Sequence, residues 1–250
     1  MKRIQFISLL FCAAFVFFLT SCGGGGNEEK STTDSSTANT DSNTTAVKPE
    51  TVTTTIITTP QSMMVVTHKV ANFAKWKASY EEHDSMRLAN GIHNYVIGRG
   101  LQDSNMVLVA VKCDDMAKAK AFAKDPSLKK AMQKGGVTGA PTISFITTTW
   151  QDTAQLSTPL RSRTTFAVKD WDAWEKNFME GKQERMDNGI TDRSIGHDAD
   201  DNKKVALVTA VMDTAKAFAY YKSDVLKKRR AAGGVIGEPK RFLFNVVKRY

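Results

Sequence analysis

Gly135-Gly136-Val137-Thr138-Gly139-Ala140-Pro141 returns 98 residues downstream as Gly233-Gly234-Val235-Ile236-Gly237-Glu238-Pro239. The same shift, without a gap, lays Trp76 on Trp174, Arg87 on Arg185, Asn90-Gly91-Ile92 on Asn188-Gly189-Ile190 and Ile97-Gly98 on Ile195-Gly196. Asp115, Ala117-Lys118-Ala119 and Leu128-Lys129-Lys130 meet Asp213, Ala215-Lys216-Ala217 and Leu226-Lys227-Lys228. About a third of the positions from 63 to 141 are identical under this shift. Self-similarity at one fixed offset is a duplication. The folded part therefore reads as two copies of one unit, repeat 1 at 61–150 and repeat 2 at 159–250, joined by the short polar segment Gln151 to Pro159.

Each copy yields to its hydrophobic period. Met64 to Val70 is strand-like and ends at Asn72, a good helix N-cap. Phe73, Trp76, Tyr80 and His83 then recur at helical spacing, as do Trp171, Trp174 and Phe178 in the second copy. Asn90-Gly91 and Asn188-Gly189 stop that helix. Strands follow at Ile92 to Arg99 and Met106 to Cys113, separated by a turn at Gln102-Asp103-Ser104-Asn105. Asp115 caps a second helix, Met116 to Lys134, with a break at Asp125-Pro126, and the last strand is expected to open at Pro141 and run from Thr142 to Thr149. The order βαββαβ is the ferredoxin-like unit, an α+β architecture with helices on one face of an antiparallel sheet. The other face needs cover. Two linked copies supply it by packing sheet to sheet, which predicts one pseudo-dimeric α/β barrel rather than two separate domains.

The element order, the duplicated unit and a set of residues together resemble the dimeric α+β barrel superfamily, and within it the antibiotic-biosynthesis-monooxygenase-like (ABM-like) branch. The residues that carry the resemblance are Trp76, His83, Arg87 and Gly91 on and after the first helix, Asp103-Ser104-Asn105, Ala121-Phe122, and Gly135 to Pro141. The resemblance covers both repeats. It implies the barrel fold and a range of roles that includes cofactor-free oxygenases and haem-degrading enzymes. The haem-degrading members carry an axial histidine on the second helix. Neither 116–134 nor 214–232 contains one, which argues against that chemistry here.

The amino end carries a different message. Met1-Lys2-Arg3 is a positive n-region, and Ile4 to Leu19 is almost wholly apolar, short for a membrane span but of signal-peptide length. Leu19-Thr20-Ser21-Cys22 resembles the bacterial lipobox. Residues 1–21 are read as a lipoprotein signal peptide and Cys22 as the lipidated residue. The expected partner is a membrane through that anchor, in the cell envelope, facing the periplasm or the exterior. Residues 22–60 read as a tether, with Gly23 to Gly26 and a run of Ser, Thr, Asp and Asn too polar to bury a core. A β-prone stretch, Thr51 to Thr59, lies at its end.

Composition excludes several chemistries. Cys12 leaves with the signal and Cys22 is acylated, so Cys113 stands alone and no internal disulfide is expected. The chain carries a formal charge of +9, made up of −1 in its first sixty residues and +10 in the rest. An exported lipoprotein of this charge suits a small apolar or anionic ligand rather than nucleic acid. The cluster Lys227-Lys228-Arg229-Arg230 reads as a solvated helix face. No spaced set of ligands for a metal appears, and no cofactor is expected.

Two residues are read as catalytic candidates: His83, whose imidazole titrates near neutrality, and Arg87, four positions on along the same helical face. The second copy keeps Arg185 but has Gly181 in place of His83. Trp76, Tyr80, Trp174 and Arg185 are the ligand-binding candidates, as an aromatic cavity wall and an anion contact. His68 faces Phe166 across the repeat and reads as a packed core position, while His93 and His197 occupy unmatched positions. A binding module for a small apolar or aromatic molecule, expected to be a monomer with an internal pseudo-dimer, ranks first. A cofactor-independent monooxygenase-like enzyme ranks second, and a structural or interaction protein of the envelope third.

Overall fold

The computed structural model describes residues 54–250. The signal peptide, Cys22 and most of the tether lie outside the described residues. A two-residue strand, β1 (Ile56–Ile57), falls inside the stretch read as tether and pairs with Gln151 and Asp152.

Repeat 1 runs β2 (Gln61–Val70), α1 (Phe73–Glu82), α2 (Asp84–Leu88), β3 (Ile92–Gly100), β4 (Met106–Cys113), α3 (Met116–Phe122), α4 (Pro126–Lys134) and β5 (Val137–Asp152). Repeat 2 repeats this order as β6 (Leu160–Val168), α5 (Trp171–Glu180), α6 (Lys182–Asp187), β7 (Ile190–Asp198), β8 (Lys204–Val211), α7 (Thr214–Tyr221), α8 (Asp224–Ala232) and β9 (Val235–Arg249). The caps are the expected ones. Asn72 accepts from the Lys75 amide at 2.9 Å and Asp115 from that of Lys118 at 2.7 Å. Asp125 caps α4, whose first residue is Pro126, a position where a missing N–H costs nothing.

Two boundaries differ from the sequence reading. The first helix of each repeat is broken, at His83 and at Gly181, where the backbone leaves helical geometry (φ −94°, ψ 22° and φ −83°, ψ 8°). The last strand begins at Val137, not beyond Pro141. Thr138 pairs with Lys69 and Thr142 with Thr67, so the intervening residues bulge from the ladder. Gly139, at φ 75°, and Pro141, which has no N–H to donate, belong in such a bulge.

The strands form one antiparallel sheet ordered β1-β5-β2-β4-β3-β9-β6-β8-β7, and β5 also pairs with β7. That last pairing closes strands β2 to β9 into an eight-stranded barrel. Each repeat contributes four strands, and the two seams, β3–β9 and β5–β7, are where the copies meet. Alternation along each strand then serves two interiors. On β4, Val107, Val109 and Val111 pack under the helices with Val66, Trp76 and Phe122. Ala110 faces the other way, into a small central cluster built on Met63, Ile146 and Ala206 from both repeats. The two copies are thus one folded body, with a helix-covered core in each repeat and a shared barrel interior between them.

Candidate functional site

A cavity of about 70 Å³ lies in repeat 1 between the helices and the outer face of the barrel. Its walls are Met64 and Val66 on β2, Val109 and Val111 on β4, Trp76 and Tyr80 on α1, and Phe122, Leu128 and Met132 on α3 and α4. Trp76 is buried and stacks on Tyr80, ring centroids 5.2 Å apart. In an apolar space this size, the few polar groups decide what enters.

The most unusual of them is His68. It is 4% exposed, its ring sits 5.4 Å from that of Trp76, and both Nδ1 and Nε2 are buried without a hydrogen-bond partner among the described residues. Buried polar atoms are nearly always paired, so two orphaned nitrogens on one ring are an exception that asks for a cause. Burial holds the imidazole neutral by bringing its pKa down to about 4. A neutral imidazole has one donor and one acceptor to offer. The sequence reading placed His68 in the core and was right about the burial. It had no signal for the space left beside the ring.

His83 stands at the end of α1 and lines the same cavity, half-buried, with Nδ1 2.7 Å from the Ser79 carbonyl oxygen. Arg87 also reaches the wall, but each of its three guanidinium nitrogens already donates a hydrogen bond. Nε donates to Asn94 Oδ1 at 3.0 Å, Nη1 to the Tyr80 carbonyl at 2.7 Å and Nη2 to Asp84 at 3.0 Å. The Tyr80 hydroxyl donates to the same Asn94 oxygen at 2.5 Å, and burial pushes its pKa far above the ordinary phenol value. Arg87 therefore locks the broken first helix to β3. Trp76, Tyr80, His83 and Arg87 are brought together around one cavity.

Repeat 2 keeps the scaffold, loses the imidazole and lines its cavity with Arg185, Arg229, Arg230 and Arg241 instead. Trp174 stacks on Phe178 at 5.2 Å and lines a cavity of about 80 Å³, in which Phe166 stands at the register position of His68. Arg185 there is tied by two hydrogen bonds to Asp192, and its planar group lies over the Phe178 ring. Of the other histidines, His93 is exposed beside Asp114 and His197 packs edge-on against Trp171. Cys113 is buried, and burial raises its thiol to about 11, out of the reactive range. No group of three or more His, Cys, Asp or Glu side chains suited to a metal occurs among the described residues.

No family model and no curated protein matches the sequence. Solved structures do match. An anthrone oxidase-like protein aligns over 78% of this chain and 95% of its own, with a TM-score of 0.54 and 12% identity. A candidate monooxygenase from Fusobacterium nucleatum subsp. nucleatum aligns over 76% of this chain and 93% of its own, with a TM-score of 0.50 and 14% identity. The chain shares their fold, two ferredoxin-like repeats closed into one barrel. A candidate antibiotic biosynthesis monooxygenase from Caulobacter crescentus covers 38% of this chain and 92% of its own, at 22% identity and a TM-score of 0.28. At these identities the likeness concerns the fold. Between the two copies, an unpartnered imidazole lines one cavity and a phenyl ring stands at the same register position in the other.

Proposed function

We propose that this protein is an envelope lipoprotein, anchored at Cys22, whose repeat 1 binds a small aromatic molecule that carries a hydroxyl group. One observation carries the ligand reading: His68 is buried and neutral in an apolar cavity, with neither nitrogen partnered among the described residues. A phenolic O–H donated to the unprotonated nitrogen would satisfy one of the two, and the ring would lie among Trp76, Tyr80 and Phe122. The export and anchoring reading rests on the n-region, the apolar run and the lipobox-like residues before Cys22.

The test is calorimetric titration of the purified full-length chain in detergent with phenol and with toluene, which has the same shape and no hydroxyl. Phenol is expected to bind more tightly than toluene. His68→Phe, which installs the residue that repeat 2 uses, is expected to reverse that order. Phenol bound equally well by wild type and H68F would refute the assignment.

A cofactor-independent monooxygenase-like activity is the second reading, favoured by the same neutral imidazole. As a general base, His68 would take the proton of an acidic aromatic substrate and leave the electron pair on the substrate, with dioxygen as the oxidant. His83, on the wall with Nδ1 already engaged, is the alternative base. The described neighbours include an anthrone oxidase-like protein. Oxygen uptake with anthrone as probe, compared among wild type, H68F and His83→Ala, separates the readings. Uptake no faster than in protein-free buffer leaves binding alone.

A further inference from the structure

The barrel encloses another cavity, of about 90 Å³, lined by both repeats. The duplication lets its walls be compared position by position. Where repeat 1 contributes Met63, Val65 and Tyr95, the same register positions of repeat 2 hold Arg161, Arg163 and Arg193. Arg249 lines the exposed rim, and Asp152 is the single carboxylate of the lining. Four guanidiniums against one carboxylate leave three positive charges unbalanced.

Arg161 is the least exposed of the four. It is 3% exposed and donates from Nη1 to the carbonyl oxygens of Thr158 and Leu160, at 2.8 and 2.9 Å. No carboxylate of the described residues forms an ion pair with it. Burial, and then the like charges of Arg249 and Arg193, bring its pKa down to about 10, which leaves it charged at neutral pH. Arg193 donates to Asp152 at 3.1 Å and to the Ala154 carbonyl. Burying a cation without a counter-charge is costly, and proteins tolerate it where a ligand supplies the charge. Nearby, Gln151 Nε2 donates to the Tyr95 hydroxyl at 2.5 Å, which leaves the hydroxyl proton free to be donated elsewhere. Gln151 Oε1 is buried without a partner among the described residues.

We propose that the barrel interior is a second binding site, for a small carboxylate whose oxygens are held by Arg161, Arg193 and Tyr95 and whose short apolar tail lies against Met63, Val65 and Ile146. The mixed walls favour a carboxylate with a carbon tail over an inorganic anion. This site is separate from the His68 cavity, on the opposite face of β2, and stands or falls independently of it.

The test is thermal unfolding and calorimetry of the full-length chain with propionate, propanol and inorganic phosphate, at ionic strength held constant with sodium chloride. Propionate is expected to raise the melting temperature and propanol to leave it unchanged. Arg161→Met places in repeat 2 the residue that repeat 1 has at this register. It is expected to raise the melting temperature of the ligand-free protein and to weaken propionate by about tenfold or more. Should that variant not fold, Arg161→Lys keeps the charge without the two-pronged geometry and is expected to weaken propionate severalfold. No stabilisation of the wild type by propionate overturns the proposal. So does undiminished propionate binding by whichever variant folds. Phosphate stabilising as strongly as propionate overturns the carboxylate assignment.

Discussion

Arg185 and Asp192 form a buried two-point ion pair, Nε to Oδ1 at 2.8 Å and Nη2 to Oδ2 at 2.7 Å. The corresponding arginine of repeat 1, Arg87, solves the same problem differently. Asn94 stands where repeat 2 has Asp192, and the compensating carboxylate comes from Asp84, at 3.0 Å on the same short helix. The position equivalent to Asp84 is Lys182, which is exposed. Asp192→Asn alone leaves a buried guanidinium without its counter-charge and is expected to cost about 3 kcal/mol or more. Adding Lys182→Asp recreates the repeat 1 arrangement and is expected to recover at least half of that loss. Denaturant melts of wild type, single and double variants measure it. A double variant no more stable than the single one would show that the two clamps are not interchangeable.

The seams between the copies give a second prediction. Gly98 on β3 and Gly196 on β7 are register equivalents, and each pairs across a seam with the other repeat. A Cβ on Gly98 would sit 2.2 Å from the Phe244 ring, and one on Gly196 would sit 2.4 Å from the Thr147 carbonyl oxygen. A ring can rotate or shift, whereas the Thr147 backbone is held in the β5–β7 ladder. Both substitutions to alanine overpack, at about 1–3 kcal/mol, with Gly196→Ala the more damaging. Equal melting temperatures for the two variants would contradict this ranking.

These pairs also show why some features were legible in the sequence and others were not. The duplication, the caps at Asn72 and Asp115 and the stops at Gly91 and Gly189 are local signals, and each acts within a few residues of itself. The helix break at His83 carries no such signal, since only its counterpart Gly181 is a helix breaker. Arg161 and Arg193 were missed for a topological reason. On a single ferredoxin-like sheet the face away from the helices meets solvent, where arginines are unremarkable. Closure of the barrel turns that face into an interior, and closure depends on strand partners about 45 residues apart on one seam and about 150 on the other. His68 was recognised as buried because Phe166 replaces it, but that exchange says nothing about room beside the ring.

The anchor is tested by chemistry. If Cys22 carries acyl chains, the full-length chain incorporates labelled palmitate, sediments with membranes and is released by detergent but not by salt. Cys22→Ser is expected to abolish labelling and shift the protein out of the lipid-modified fraction, because two or more chains are needed for firm attachment. Labelling retained in that variant would place the modification elsewhere.

The pH dependence of stability follows from His68. Its pKa in the folded protein is about 4, against 6.5 for an unperturbed imidazole. Between these values the unfolded chain takes up a proton that the folded chain refuses. The stability associated with the neutral ring is therefore complete above pH 6.5 and falls away as the pH drops toward 4. A shift of this size corresponds to roughly 3 kcal/mol, since each pKa unit is about 1.4 kcal/mol. Carboxylates titrate in the same range, so the comparison must be with a variant. His68→Phe cannot take up this proton in either state, and it removes two orphaned nitrogens from an apolar wall. It is expected to be at least as stable as wild type at pH 7 and clearly more stable at pH 4.5, the gap widening by a kcal/mol or more as the pH falls. A constant difference between the two proteins from pH 7 to pH 4.5 would mean that the folded ring takes up its proton as readily as the unfolded one, and the desolvated imidazole on which the aromatic site depends would be refuted.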